Sequence, residues 1–134
     1  MEKKPNVVFV FGDQWRAQTF GYTGNTVVKT PHIDRLAEQS FNFTHAVSGC
    51  PVCSPARASL LTGQNPLTHG VFVNDVQLSD RAISIAEAFK QGGYDTAYIG
   101  KWHVDGRGRS NHIPPEQRQG FDYWKVLELS LIHI

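Results

Sequence analysis

An α/β fold with a mainly parallel sheet flanked by helices is what this sequence predicts, and three observations predict it. Asn6-Val7-Val8-Phe9-Val10-Phe11 is an unbroken β-branched and aromatic run, the pattern of a strand buried on both faces. Helix start and stop signals recur after it, at Thr30-Pro31, at Ser54-Pro55 with Gly63, and at Ser84 with Glu87 and Gly92-Gly93. Strand patterns alternate with these helical ones, ending with Asp95-Thr96-Ala97-Tyr98-Ile99.

In order along the chain, residues 6–11 form the first predicted strand, stopped by Gly12-Asp13. Thr30 is expected to cap a helix from Pro31 to about Ser40, with Ile33, Leu36 and Ala37 on its buried face. Phe41 to Val47 alternate well enough for a short strand. Ser54 as N-cap and Pro55 at the first helical position start a helix that Gly63 ends, leaving Cys53 just before it. Ser84 and Glu87 make a capping box, and Ile85, Ala88 and Phe89 its buried stripe.

The 134 residues, 40% hydrophobic and 19% charged, suit one modest core and exclude a disordered or fibrous chain. A net charge of +1 gives no nucleic-acid surface and no polybasic membrane patch. The run Val7 to Phe11 is too short for a signal-peptide core or a membrane span, so the chain as written is expected in the cytoplasm. Cys50 and Cys53 make no disulfide framework.

Cys53-Ser54-Pro55-Ala56-Arg57 followed by Leu61-Thr62-Gly63 is the stretch that carries chemistry. A helix N-terminus attracts anions through unpaired N–H groups, and Arg57, one turn in, offers a fork of donors to the same oxyanion. Cys50-Pro51-Val52-Cys53 also reads as a redox dithiol or half of a zinc site, but two cysteines fall short of four zinc ligands. Sites in open α/β sheets gather beyond the carboxyl ends of strands, where Asp13-Gln14 follow the first strand and Lys101-Trp102-His103 the last. Cys50 is expected to be a small buried residue, and His32, His45 and His69 structural. His112 lies in a Gly, Arg and Pro-rich loop; Trp15, Trp102 and Trp124 are expected to pack near the site.

The Cys-x-Pro-x-Arg and Leu-Thr-Gly motifs resemble those of the type I, formylglycine-dependent sulfatases. Asn6 to Asp13, Thr30 to Leu36, Gly93-Tyr94, Gly100-Lys101-Trp102-His103 and Gly120-Phe121-Asp122 follow in the order of sulfatase N-terminal regions, so the likeness covers roughly residues 5 to 124. The resemblance implies the alkaline-phosphatase-like fold, N-terminal portion only, and hydrolysis of sulfate monoesters of small molecules or carbohydrates. It implies that a formylglycine-generating enzyme oxidises Cys53 to formylglycine, whose hydrate attacks sulfur and then expels sulfate through its second hydroxyl. Asp13 would bind a divalent metal, calcium by preference with magnesium or manganese as alternatives; Gln14 stands where some members have a second aspartate and would bind through its amide oxygen, and the matured Cys53 would bind through a hydroxyl. Arg57, Lys101 and His103 would act in catalysis, with Asn74, Lys101 and His103 on the sulfate.

Two rivals remain. Asp13-Gln14-Trp15-Arg16 is similar to the opening of phosphonate monoester and phosphodiester hydrolases of the same superfamily, which differ at the Lys-x-His pair. The other is an inactive fragment or a Cys-x-x-Cys redox or binding protein. The family's later metal ligands, histidine and lysine have no counterpart in this chain, so residues 1–124 are read as an incomplete catalytic domain. Residues 125–134 are read as an apolar tail of truncated origin, and the 134-residue chain alone is expected to be inactive and poorly soluble.

Overall fold

A computed structural model describes residues 4–108 and 110–128. The chain divides into two compact units, Met1–Ala46 and Val47–Ile134.

In the first unit the helix α1 (Pro31–Glu38) forms as its proline start predicts, two residues shorter than expected. Thr30 does not cap it. Its hydroxyl instead donates to Asp34 Oδ1 at 2.8 Å and accepts the Gly21 N–H at 2.8 Å, while Asp34 Oδ1 also accepts the Tyr22 N–H at 2.9 Å. That cluster ties α1 to the 3₁₀ turn Gly21–Thr23. Ile33 and Leu36 are exposed rather than buried. The run Val7–Phe11 belongs to no strand, and Val8 is 83% exposed. A strand apolar on both faces needs neighbouring strands, and the described residues of this unit form none. Phe41 to Val47 is likewise no strand. Trp15, expected to pack, is exposed apart from an edge contact with Phe20.

The second unit holds α2 (Cys53–Thr62), α3 (Pro66–His69), α4 (Ile85–Gln91), β1 (Ala97–Lys101) and β2 (Tyr123–Leu127). β1 and β2 pair in parallel, Ala97 opposite Tyr123 and Lys101 opposite Leu127. β1 is the predicted last strand shifted two residues toward the carboxyl end. β2 takes in Lys125 to Leu127 of the apolar end, while residues 129–134 lie outside the described part.

α4 starts on the predicted capping box, Ser84 Oγ accepting the Glu87 N–H and the Glu87 carboxylate accepting the Ser84 N–H. Its buried residue is Ala86, whereas Ile85 and Ala88 face outward, one position from the expected stripe. The helix is pinned at its start by Ser84 Oγ donating to the Gln119 carbonyl, which turns that face inward.

The core of this unit is Ala58 and Leu61 of α2 with Val71, Leu78, Trp102, Val104 and Ile113. Trp102 has no exposed surface, and its indole meets the rings of Tyr98 and Trp124 edge-on at 5.0 and 4.9 Å. A buried anchor therefore sits between Lys101 and His103. Past it the chain turns at Gly106, where φ is 69° and a Cβ would stand 2.5 Å from the Gln77 nitrogen. The close approach lets Leu78 N–H reach the Val104 carbonyl at 2.9 Å, laying residues 74–78 along the loop after β1.

Candidate active site

α2 begins two residues earlier than predicted. Val52 is its N-cap and makes no side-chain cap bond, so Cys53 occupies the first helical position and is half-buried. Pro55 in the first turn needs no intrahelical donor there, which makes the earlier start tolerable. Gly63 ends the helix at φ 68°, its N–H donating to the Ser59 carbonyl. The N-terminal donors find a distant acceptor: Asn74 Oδ1 takes the Ser54 N–H at 2.9 Å, across twenty residues of chain. Asn74 thus acts as the cap that no local side chain supplies.

Arg57 is 5% exposed, and its Nη1 donates to the Lys101 carbonyl at 2.6 Å and to Tyr98 Oη at 3.3 Å. Tyr98 Oη donates to the same carbonyl at 2.8 Å. The guanidinium therefore holds the end of β1 against α2, in addition to carrying positive charge beneath the helix N-terminus. Lys101, the last residue of β1, is partly exposed.

His103 is buried, with φ at 59°. Its Nε2 lies 3.0 Å from Asp75 Oδ1. A carboxylate only accepts, so Nε2 carries the proton in this pair, and Nδ1 is buried with no hydrogen-bond partner among the described residues. Asn74 and Asp75 are consecutive. One dipeptide therefore touches both the N-terminus of α2 and the His103 ring, and the second unit gathers Cys53, Arg57, Asn74, Lys101 and His103 about it. Asp75, with φ at 63°, was absent from the sequence-derived set. Its signal was weak: an aspartate after asparagine in a segment read as a turn, where both tolerate left-handed backbone.

Asp13 and Gln14 lie in the first unit, in an exposed turn after the Val7–Phe11 run. A carboxylate and an amide oxygen are donors of the kind that suits a hard divalent cation, so the chemistry of the pair fits such an ion. The number of ligands falls short, since no three His, Cys, Asp or Glu side chains among the described residues gather as a metal set.

The other histidines among the described residues, and Cys50, are accounted for. His69 Nδ1 accepts the Val71 N–H at 3.1 Å, which places its proton on Nε2, facing Ser59 Oγ at 3.0 Å. Burial keeps the ring neutral by lowering its pKa, and a donor Nε2 cannot take the serine proton, so this pair is structural. His45 contacts Thr44 Oγ1 at 2.9 Å, and His32 and His112 are exposed. Cys50 is half-buried, not buried as expected, because it lies in the turn closed by the Val52 N–H to its own carbonyl.

The sulfatase family model matches residues 5–129. The chain belongs to the sulfatase family. The ulvan-active sulfatase of Formosa agariphila is 58% identical over 127 residues, covering 95% of this chain and 25% of that protein. The crystal structure of yidJ from Bacteroides fragilis superimposes with a TM-score of 0.84 at 40% identity, over 94% of this chain and 32% of that one. The phosphonate monoester hydrolase of Agrobacterium radiobacter does so at 0.69 and 34%, over 86% and 24%. The fold is the N-terminal portion of the alkaline-phosphatase-like sulfatase architecture, and the chain spans about a quarter of the length of the first of these sulfatases.

Proposed function

We propose that this chain supplies the nucleophile and the anion-binding corner of an enzyme that hydrolyses sulfate monoesters of carbohydrates. The observation that supports it most is the bridge by which Asn74 and Asp75 join the N-terminus of α2 to His103. A sulfate group placed at that corner meets the positive end of a ten-residue helix, and charge developing on its oxygens is stabilised there without reorganisation.

Cys53, oxidised by a formylglycine-generating enzyme, is the nucleophile. The aldehyde hydrate supplies one hydroxyl to attack sulfur and a second to release sulfate afterwards. Arg57 keeps Lys101 at the corner through its carbonyl and adds positive charge beside residue 53. Lys101 binds sulfate oxygens by charge-assisted hydrogen bonds. His103, held through Nε2 by Asp75, helps proton movement to the departing alcohol. Asp13 and Gln14 would hold calcium or another hard divalent cation, whose chemistry is charge neutralisation. The ulvan-active relative supports a sulfated polysaccharide as substrate class.

The second reading, a phosphonate monoester hydrolase, draws on the structural likeness to that enzyme. Steady-state turnover by the matured complete gene product separates the two. Sulfated oligosaccharide should be hydrolysed with kcat/KM at least about tenfold above that for an aryl phosphonate monoester, a difference of roughly 1.4 kcal/mol in transition-state binding. The reverse preference would replace sulfate by phosphorus as the substrate centre.

A further inference from the structure

β1 and β2 end side by side, and beyond Leu127 stands Glu128. Trp102 N–H donates to the Leu127 carbonyl at 2.8 Å, so the parallel pairing continues one residue past β1. Glu128 is 4% exposed. Its Oε2 accepts the backbone N–H of His103 at 3.1 Å, and its Oε1 that of Asp105 at 3.3 Å. A single side chain thus grips the loop after β1 on both sides of Val104. His103 is a left-handed non-glycine residue, a conformation that persists where the surroundings over-determine it.

We propose that Glu128 is a positioning residue for His103: by accepting the N–H groups of residues 103 and 105 it holds the left-handed turn that directs the imidazole to Asp75. The proposal rests on the reading of His103 as a sulfate-handling group only for its consequence in catalysis. The geometry is read without turnover, so a failure of that reading and a failure of this one are distinguished.

The groups around the carboxyl are the buried Asp105, whose Oδ2 lies 3.7 Å from Arg107 Nε, and the His103 ring with Asp75 beyond it. Asp105 Oδ2 accepts no hydrogen bond among the described residues. Burial first, and then the neighbouring Asp105 carboxyl, push Glu128 up to about 8. A protonated Glu128 at neutral pH can donate to Asp105 while its carbonyl oxygen still accepts from the loop. A glutamine has a single acceptor oxygen where both carboxyl oxygens accept backbone N–H groups, so it can serve residue 103 or residue 105 but not both.

The test is amide hydrogen exchange with NMR of the imidazole nitrogens on the full chain, as wild type, Glu128→Ala and Glu128→Gln. In Glu128→Ala, exchange at His103 and Asp105 should rise by about tenfold or more relative to the β1 amides, and the His103 ring should lose its Nε2-bonded signature. Glu128→Gln, with one acceptor oxygen, should restore protection at only one of the two amides. Equal acceleration throughout β1 and β2, or no change at residues 103 and 105, would overturn the proposal. If Glu128→Ala does not fold, the wild type decides: amides 103 and 105 must be protected above those of Asn111 and His112, and exchange as fast as theirs would overturn it.

Discussion

Two stretches of this chain have fates opposite to what their apolar character suggests. Val7 to Phe11 is wholly apolar and exposed, whereas Tyr98 to Val104, which carries Lys101 and His103, is a strand and turn with Trp102 and Val104 in the core. Hydrophobicity does not decide between them. The second stretch has partners within its own unit: β2 beside it, α2 across it through Arg57, and Glu128 on the turn after it. A strand pattern predicts the capacity to be buried, while the partner decides whether it is.

The largest effect expected on that comparison is chemical. Cys53→Ala in the matured complete product should abolish sulfate-ester turnover while leaving α2 formed, because the residue is half-buried and caps nothing. Cys53→Ser should leave at best a slow enzyme that accumulates sulfated protein, detectable by intact mass, since serine has no second hydroxyl to expel sulfate. Next comes packing. Trp102→Ala should cost about 3–5 kcal/mol in denaturant unfolding, and Phe9→Ala, in the exposed run, less than about 0.5 kcal/mol. Similar losses at both positions would erase the contrast.

Asn74→Ala removes the remote cap of α2 and should cost about 1 kcal/mol, with Asn74→Asp recovering part of it; chemical denaturation of the three proteins reads the difference. A pH slope sharpens the contrast from another side. Burial and the neighbouring Asp105 carboxyl push Glu128 up to about 8 in the folded chain against an ordinary value of 4.5, so between these the folded state binds the extra proton. Its contribution is full below about 4.5, falls as pH rises and is lost through about 8. Glu128→Gln should flatten that decline when midpoints are compared across the same window.

Local signals were the legible ones. The capping box at Ser84, Pro31 at the head of α1 and Gly63 behind α2 each act within one helical turn, and each stands where its sequence places it. Cys53, Arg57 and the Lys101-Trp102-His103 triplet were legible because the motifs keep their residues at fixed short spacings. What escaped depends on distance in sequence. The cap on α2 comes from Asn74 rather than Ser54, the partner of His103 is Asp75, and the turn after β1 is held from Glu128, twenty-five residues on. No periodicity encodes such pairs, because they form only when β1, β2 and α2 have already packed.

Mass spectrometry of the tryptic peptide Leu36 to Arg57, after co-expression with a formylglycine-generating enzyme and beside a known substrate peptide, tests the central claim most directly. The account predicts that Cys53 loses its sulfur and gains an aldehyde that reacts with hydrazide. An intact Cys53 thiol, with the control peptide converted, would contradict it and leave the helix corner without its nucleophile.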